Sequence, residues 1–284
     1  MNAPSLAAII LTKNEEADLE TCLRSIAGVT SEILVVDSGS TDRTLEIAKS
    51  YGATVLTHAF LNYASQFNWA IDHAQFSADW ILRIDADERL SEQLRQEILR
   101  NLPRLGSEVT GLLVPLRIQF MGRTLRHGDS YPVWLLRLWR SGLGRCEDTW
   151  MDEHTVLSKG EVLKLHGDLV HQIPKTLSEW TQKHDWYAGR ECKEISTSGR
   201  GGWVPAGRQA RVKRLLNKGV YLRLPPFYRA FFYWLYRYFF RLGFLDGKEG
   251  MIYHFLQGFW YRFLIDAKLY ELRKNSDSPQ VSKT

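Results

Sequence analysis

Residues 6–16 (LAAIILTKNEE), 32–44 (EILVVDSGSTDRT) and 80–88 (WILRIDADE) share one pattern, a short apolar run that ends in a cluster of polar and acidic residues. Among them lie four segments with apolar residues at helical spacing: 17–28 (ADLETCLRSIAG), 41–52 (TDRTLEIAKSYG), 63–75 (YASQFNWAIDHAQ) and 91–102 (SEQLRQEILRNL), with one more short run at 53–56. Strand followed by helix, repeated over a hundred residues, predicts an α/β fold with a mostly parallel sheet and helices on its faces. Ligands of such sheets sit at the carboxyl ends of the strands. The polar clusters at 12–16, 37–42 and 85–88 fall there.

Working outward, the pattern changes after Gly111 to longer apolar stretches, 111–122 (GLLVPLRIQFMG) and 133–140 (VWLLRLWR), which suit antiparallel strands lining an acceptor cleft. Residues 176–195 predict a helix starting at Thr176 or Ser178, with Glu179 in its first turn. Gly199, Gly201 and Gly202 mark a flexible break, and the last residues, from 274, form a solvated tail. The expected organisation is a catalytic domain over 1–198, divided into 1–105 and an acceptor side at 106–198, then a helical region over 199–273 and a tail over 274–284.

The 284 residues carry a formal net charge of +5, unevenly spread. No acid occurs between Glu194 and Asp246, where ten Lys and Arg residues lie, leaving 27 basic against 32 acidic residues elsewhere. A basic block on an acidic body points to an anionic surface as partner. Three widely spaced cysteines, Cys22, Cys146 and Cys192, exclude a disulfide framework or zinc knuckle and fit a reducing compartment. The run at 6–11 is too short for a signal peptide. On a helix of 100° per residue, 229–242 places Arg229, Arg237 and Arg241 on one side and Phe231, Leu235, Tyr238, Phe239 and Leu242 on the other, the pattern of a helix lying in a membrane interface.

Asp85 and Asp87, at i and i+2 on a strand end, can hold a hard divalent cation against the phosphates of a nucleotide diphosphate. The alternative is that Asp87 and Glu88 cap the following helix. Gly39 allows close backbone approach, while Ser40 and Asp42 can cap the next helix. Arg137 and Arg140 either reach phosphate oxygens or edge a strand.

Taken together, IILTKNEE, ILVVDSGSTDRT, ASQFNWA and LRIDADE, in this order and spacing, resemble the nucleotide-binding elements of glycosyltransferase family 2, with its GT-A fold. The resemblance implies that Thr12, Asn14 and Glu15 line the nucleoside pocket, that Asp37 accepts from the base, and that Ser38, Gly39 and Ser40 form the loop beside it. It places Gln66 and Asn68 near the diphosphate, Asp85 at the ribose or metal, and Asp87 as principal ligand of Mg2+ or Mn2+. In 149–157 (TWMDEHTVL) one carboxylate serves as the base of an inverting transfer; Asp152 and Glu153 both remain candidates, with Glu153 preferred. His171, and less so His154, can approach the diphosphate or metal.

The later segments, GDLVHQIPKTLSEW (167–180) and RLGFLDGKEG (241–250), resemble bacterial lipopolysaccharide-core and exopolysaccharide glycosyltransferases. There is no QxxRW motif, so processive synthesis is disfavoured. Arg89 stands where dolichyl-phosphate-type enzymes carry a Gln ligand, and the acidic pair precedes His154 where many core transferases have the reverse order. The expectation is single-sugar transfer from a nucleotide diphosphate sugar, UDP-linked, to a lipid-anchored glycan. It places the protein peripherally at the cytoplasmic face of the bacterial inner membrane, held through 225–242 and 250–272, with no nucleic acid as partner. A nucleotidyltransferase would show a Gly-rich basic loop after the first strand, where TKNEE is acidic. A non-catalytic nucleic-acid module would leave the paired aspartates without purpose.

Overall fold

The computed structural model describes residues 4–147, 154–173, 176–197 and 221–277. They fall into two compact units, one holding 4–119 and 130–173, the other 120–129, 176–197 and 221–277.

The first unit opens with the expected alternation: β1 (Leu6–Thr12), α1 (Leu19–Ile26), β2 (Glu32–Asp37), α2 (Thr44–Ser50), β3 (Thr54–Thr57), α3 (Tyr63–His73) and β4 (Trp80–Arg83). Strands β1, β2, β3 and β4 pair in parallel, in the order β3-β2-β1-β4. Both faces are covered. Leu6, Ala8 and Ile10 pack with Leu19, Leu23 and Ile26 on one side, while Ile9 joins Phe67, Ile81 and Trp139 on the other. Side chains alternate across a strand, so a strand buried on both faces becomes a nearly unbroken apolar run, and LAAIIL is the result.

Beyond β4 come β5 (Glu88–Leu90), α4 (Glu92–Asn101), β6 (Val109–Phe120), β7 (Arg123–Thr124), β8 (Val133–Arg140), β9 (Gly144–Cys146), β10 (Thr155–Leu157), β11 (Glu161–Lys164) and β12 (Leu169–Gln172). β8 inserts antiparallel between β4 and β6, as the longer apolar runs imply, whereas β11 and β12 run parallel to β6. Antiparallel pairing of β5 with β12 sets His171 opposite Glu88. The short strand β5 was not legible in DERL. It separates the aspartates from α4, whose cap is Ser91, accepting from Leu94 N at 3.2 Å. Asp87 and Glu88 are therefore not the helix cap.

The second unit is helical and aromatic. Helix α5 (Leu177–Thr197) begins with a reciprocal box, in which Thr176 Oγ1 accepts from Glu179 N and Glu179 Oε2 accepts from Thr176 N, both at 3.2 Å. After α6 (Tyr228–Leu235) the chain widens into a π-helical stretch, Tyr236–Phe240. Then follow α7 (Gly247–Tyr253), a second π stretch at His254–Trp260 and α8 (Tyr261–Asp277), which packs on α5 through Ala188, Cys192, Tyr261, Ile265 and Leu269.

Here the regular 100° wheel fails. Two of the three arginines assigned to a basic face, Arg229 and Arg237, are in fact internal, drawn in by distant partners, and the π stretch that follows α6 breaks the 3.6-residue phase. Arg229 is buried against Asp266, and Arg237 is buried with Nε donating to Gly128 O at 2.6 Å. Arg241 pairs with Asp129 at 2.6 Å. The outer surface is apolar instead: Phe232, Phe239, Phe240, Leu242, Phe244 and Leu245 are exposed, Phe240 by 74%. In RLGFLDGKEG, Asp246 is buried and accepts from the backbone of Arg126 and His127 and from His127 Nδ1 at 2.7 Å, while a Cβ at Gly250 would lie 2.3 Å from Asp246 Cβ. Among the described residues no helix is long and apolar enough to cross a membrane.

Candidate active site

The carboxyl ends of β1, β2 and β4 lie side by side, and the loops leaving β1 and β2 are laced together. Asp37, fully buried, ends β2; its Oδ2 accepts from Gly39 N at 2.7 Å and Ser40 N at 2.8 Å, its Oδ1 from Thr12 Oγ1 at 3.1 Å and Ser40 Oγ at 2.5 Å. Four bonds fill a carboxylate, so the residue assigned to the base organises the loop that would receive it. Gly39 has φ +85°, a conformation that glycine alone adopts without strain.

From the β1 side, Asn14 N donates to Ser40 Oγ and Asn14 Oδ1 accepts from Thr41 N, each at 2.8 Å. Glu15 N donates to Thr44 Oγ1 at 2.8 Å, and Lys13 Nζ to Ser38 O at 2.9 Å. Asp42 does more than cap: besides taking Thr44 N at 3.0 Å and Thr44 Oγ1 at 2.5 Å, it accepts from Glu16 N at 3.1 Å; burial acts to raise its carboxyl, but these bonds, led by the Thr44 hydroxyl, hold it below the ordinary range. Gln66, buried on α3, donates through Nε2 to Ser38 Oγ and His58 O, both at 3.1 Å. The structure thus brings Thr12, Asn14, Glu15, Asp37, Ser38, Gly39 and Gln66 together around one loop pair.

Asn68 behaves differently. Its Nδ2 donates to Cys146 O and its Oδ1 accepts from Cys146 N, both at 2.9 Å, so its amide grips the backbone of β9.

At the end of β4, Asp85 and Asp87 are partly exposed and Glu88 is buried. Glu88 Oε2 accepts from Asp85 N at 3.0 Å, and the buried Arg137 reaches from β8 to Glu88 Oε1 at 2.5 Å and Asp85 Oδ2 at 3.1 Å. Burial pushes Glu88 up to about 7, with the Asp85 charge adding and Arg137 opposing. Burial also acts to raise Asp85, but the neighbouring Arg137 and Arg83 guanidiniums hold it below its ordinary value. Arg137 is the partner that sequence reasoning left between two roles; the DADE run carried a third acid needing a buried counter-charge. Arg140 only edges the sheet, donating to Val109 O at 2.9 Å and lying over the Trp80 ring. Arg89 ties Gln119 and Gln172, each at 2.8 Å.

His171 Nδ1 lies 3.4 Å from Asp87 Oδ1, delivered there by the β5–β12 register. Among the described residues no group of three or more His, Cys, Asp and Glu side chains gathers tightly enough to hold an ion. The donor set nevertheless fits a hard cation of the kind bound through one or two carboxylates and completed by substrate phosphates. His154 is described only at the edge of β10, its carbonyl accepting from Glu147 N at 2.9 Å. Asp152 and Glu153 lie outside the described residues.

A mixed sheet whose parallel part is covered on both faces, with a loop cradle and paired aspartates at its carboxyl edge, presents its polar residues where α/β enzymes bind their ligands. Residues 7–162 match the model of glycosyl transferase family 2, and the chain belongs to that family; it is a glycosyltransferase. It is 31% identical to the lipopolysaccharide core biosynthesis glycosyltransferase LpsC of Rhizobium meliloti, over 97% of this chain and 96% of that protein. It is 29% identical to the uncharacterized glycosyltransferase RT0209 of Rickettsia typhi, over 95% of this chain and 88% of that one. Among solved structures it is similar to glucosyl-3-phosphoglycerate synthase from Mycobacterium tuberculosis, at 23% identity and a TM-score of 0.32 over 41% of this chain and 44% of that one.

Proposed function

We propose that the protein transfers one sugar, with inversion, from a UDP-sugar to a lipid-anchored saccharide of lipopolysaccharide or exopolysaccharide type, working at the cytoplasmic face of the membrane. The observation that carries this reading is the placement of Asp85 and Asp87 at the same sheet edge as the Asp37-centred cradle. The cradle residues Thr12, Asn14, Glu15, Ser38 and Gly39 take the nucleoside, and Asp87, with His171 beside it and Asp85 fixed by Arg137, faces the diphosphate. A Mg2+ or Mn2+ ion held by Asp87 and the diphosphate oxygens would neutralise the departing charge. Glu153, or else Asp152, takes the proton of the attacking acceptor hydroxyl from the face opposite the leaving group. The acceptor class draws on the relative LpsC, and the membrane setting on the exposed aromatic surface of the second unit together with the acid-free basic block.

A screen of nucleotide sugars with an extracted lipopolysaccharide-core acceptor, reading released nucleotide diphosphate, tests it. UDP-sugar turnover that stops in EDTA and yields an inverted anomeric linkage by NMR is expected. Turnover untouched by EDTA, or a retained linkage, would overturn the mechanism.

A further inference from the structure

Beside Asp87, three strands build a face of hydrogen-bond donors that the proposed mechanism leaves unused. Glu88 and Leu90 of β5 are buried, so side-chain alternation turns Arg89, between them, to the other face of the sheet. The register sets Val170 of β12 against Arg89 on one side and Arg117 of β6 on the other, so the two arginines flank one buried valine. Two residues further along, and so on the same face, Gln172 of β12 stands beside Gln119 of β6. The guanidinium of Arg89 spans both, Nη1 donating to Gln172 Oε1 and Nη2 to Gln119 Oε1, each at 2.8 Å.

Those two bonds decide what the face can hold. Each glutamine spends its carbonyl oxygen on Arg89 and is left with its NH2 group, while Arg89 keeps the rest of its N–H donors. Both partners are neutral, so among the described residues the Arg89 charge meets no acid within ion-pair distance. Arg117 is only partly served: its Nη1 lies 3.4 Å from Asp168 Oδ2, the other oxygen of Asp168 accepts from Tyr131 Oη at 2.8 Å, and Arg117 Nε is buried without a partner among the described residues. Two guanidiniums are thus set against one carboxylate, and the free groups beside them are donors. A tie between strands alone would be stronger with a glutamate in place of either glutamine; the neutral amide fixes the fork and leaves its charge available. Such a set matches the several acceptor oxygens of a phosphate or carboxylate.

We propose that Arg89, Gln119 and Gln172, with Arg117 alongside, form a subsite for a substrate oxyanion. Gln172 N donates to Asp87 O at 3.3 Å, so the subsite adjoins the aspartate edge. The oxyanion is a phosphate or carboxylate carried by the donor diphosphate or by the acceptor saccharide, and this choice of sources rests on the function proposed above.

The test uses the full-length enzyme and inorganic pyrophosphate in EDTA, so that no cation bridges the probe to Asp87. Gln172→Glu keeps the shape and the bond to Arg89 but turns that bond into an ion pair. Pyrophosphate binding, measured by calorimetry, should fall about tenfold or more, the usual worth of hydrogen bonds to a charged group, while the melting temperature holds or rises. Arg89→Met should remove the binding as fully. Arg104→Met, the same charge change at an exposed arginine beyond α4, should leave it within about twofold because distant surface charge is screened. The dissociation constant of UDP and the KM of an extracted lipopolysaccharide-core acceptor then locate the oxyanion. A weaker UDP complex in Gln172→Glu, with uridine binding unchanged, assigns the donor diphosphate; a raised acceptor KM at unchanged UDP affinity assigns the acceptor. Wild-type enzyme that binds no pyrophosphate, a Gln172→Glu protein that binds it as wild type does, or an Arg104→Met protein that loses it equally would overturn the subsite and leave Arg89 a tie between strands. Lost pyrophosphate binding with UDP affinity and acceptor KM both unchanged would overturn its part in substrate binding. Should no nucleotide sugar be turned over, the function proposed above fails, and the pyrophosphate and UDP measurements still decide the subsite.

Discussion

The two units handle charge in opposite ways. In the sheet unit, carboxylates gather at one edge, where Asp85 and Asp87 stay partly exposed and Arg137 bonds one oxygen of Asp85. In the helical unit several charges are turned inward and matched, Arg229 with Asp266 and Arg262 with Glu191, while Phe, Tyr and Leu side chains stand exposed. Partly exposed acids at a sheet edge suit a ligand of opposite charge, whereas paired charge inside a helical unit supports its architecture. On the function proposed above, the chemistry belongs to the first unit and the exposed rings of the second serve as a contact face.

The sharpest way to break that division is to remove one charge from each unit. Asp87→Ala should abolish transfer, by about a thousandfold or more if it withdraws leaving-group assistance, yet leave thermal stability within about 0.5 kcal/mol, as for surface changes elsewhere. Arg229→Ala should do the reverse. It strands a buried Asp266, which also accepts from Phe227 N at 2.7 Å, and breaking such a pair costs about 3–5 kcal/mol. Calorimetric unfolding and turnover on a soluble acceptor analogue, measured on both variants, decide it; an Asp87→Ala protein that melts early, or a stable Arg229→Ala protein, would dissolve the contrast.

The contrast also explains what the sequence disclosed. β1, β2, β4 and their loops were legible because burial on both faces forces unbroken apolar runs, and because a ligand edge forces polar residues to follow them. Asp37 shows the limit: its position was readable, but its four bonds to the loop depend on atoms from 12 to 40. Arg137 was illegible as the partner of Asp85 and Glu88, since β8 meets β4 only in the folded sheet. The helical unit defeated the wheel because distant partners draw Arg229 and Arg237 inward, and the π stretch at Tyr236–Phe240 adds a break that no periodicity of 3.6 anticipates. Its partners, Asp266 and Gly128, lie 37 and 109 residues from the arginines they meet.

Acid separates the units by a smaller margin. Burial pushes both His254 and His184 of the helical unit down to about 4, and His254 is fully enclosed. A histidine whose folded pKa lies below its unfolded value of about 6.5 favours the unfolded chain once protons compete. Its contribution is whole above that pH and is lost as pH falls from about 6.5 toward 4, by up to about 3 kcal/mol for a group as enclosed as His254. Protection of α7 and α8 amides from hydrogen exchange should fall over that window. Equal protection at pH 7 and pH 4.5 would mean that the ring is not held neutral.

The smallest effect concerns the outer face. If membrane contact came from a basic helix, vesicle binding would collapse with salt; the burial of Arg229 and Arg237 makes apolar contact the main term. Phe240 and Leu245 are 74% and 49% exposed, and covering side chains of this size contributes about 1–2 kcal/mol each when only part of the surface is hidden. Replacing both by Ser should weaken binding to anionic vesicles by roughly 2 kcal/mol, about thirtyfold, at 0.1 and at 0.5 M salt alike, with turnover on a soluble acceptor unchanged. Arg241→Glu, whose charge is already matched by Asp129 at 2.6 Å, should cost less than the roughly 1 kcal/mol typical of a free basic residue near an anionic surface. Flotation at both salt concentrations separates the two. A wild-type protein that floats only at low salt, and a double Ser variant that floats as well as it does, would return the membrane contact to the basic stretch preceding α6 and leave the aromatic face without that role.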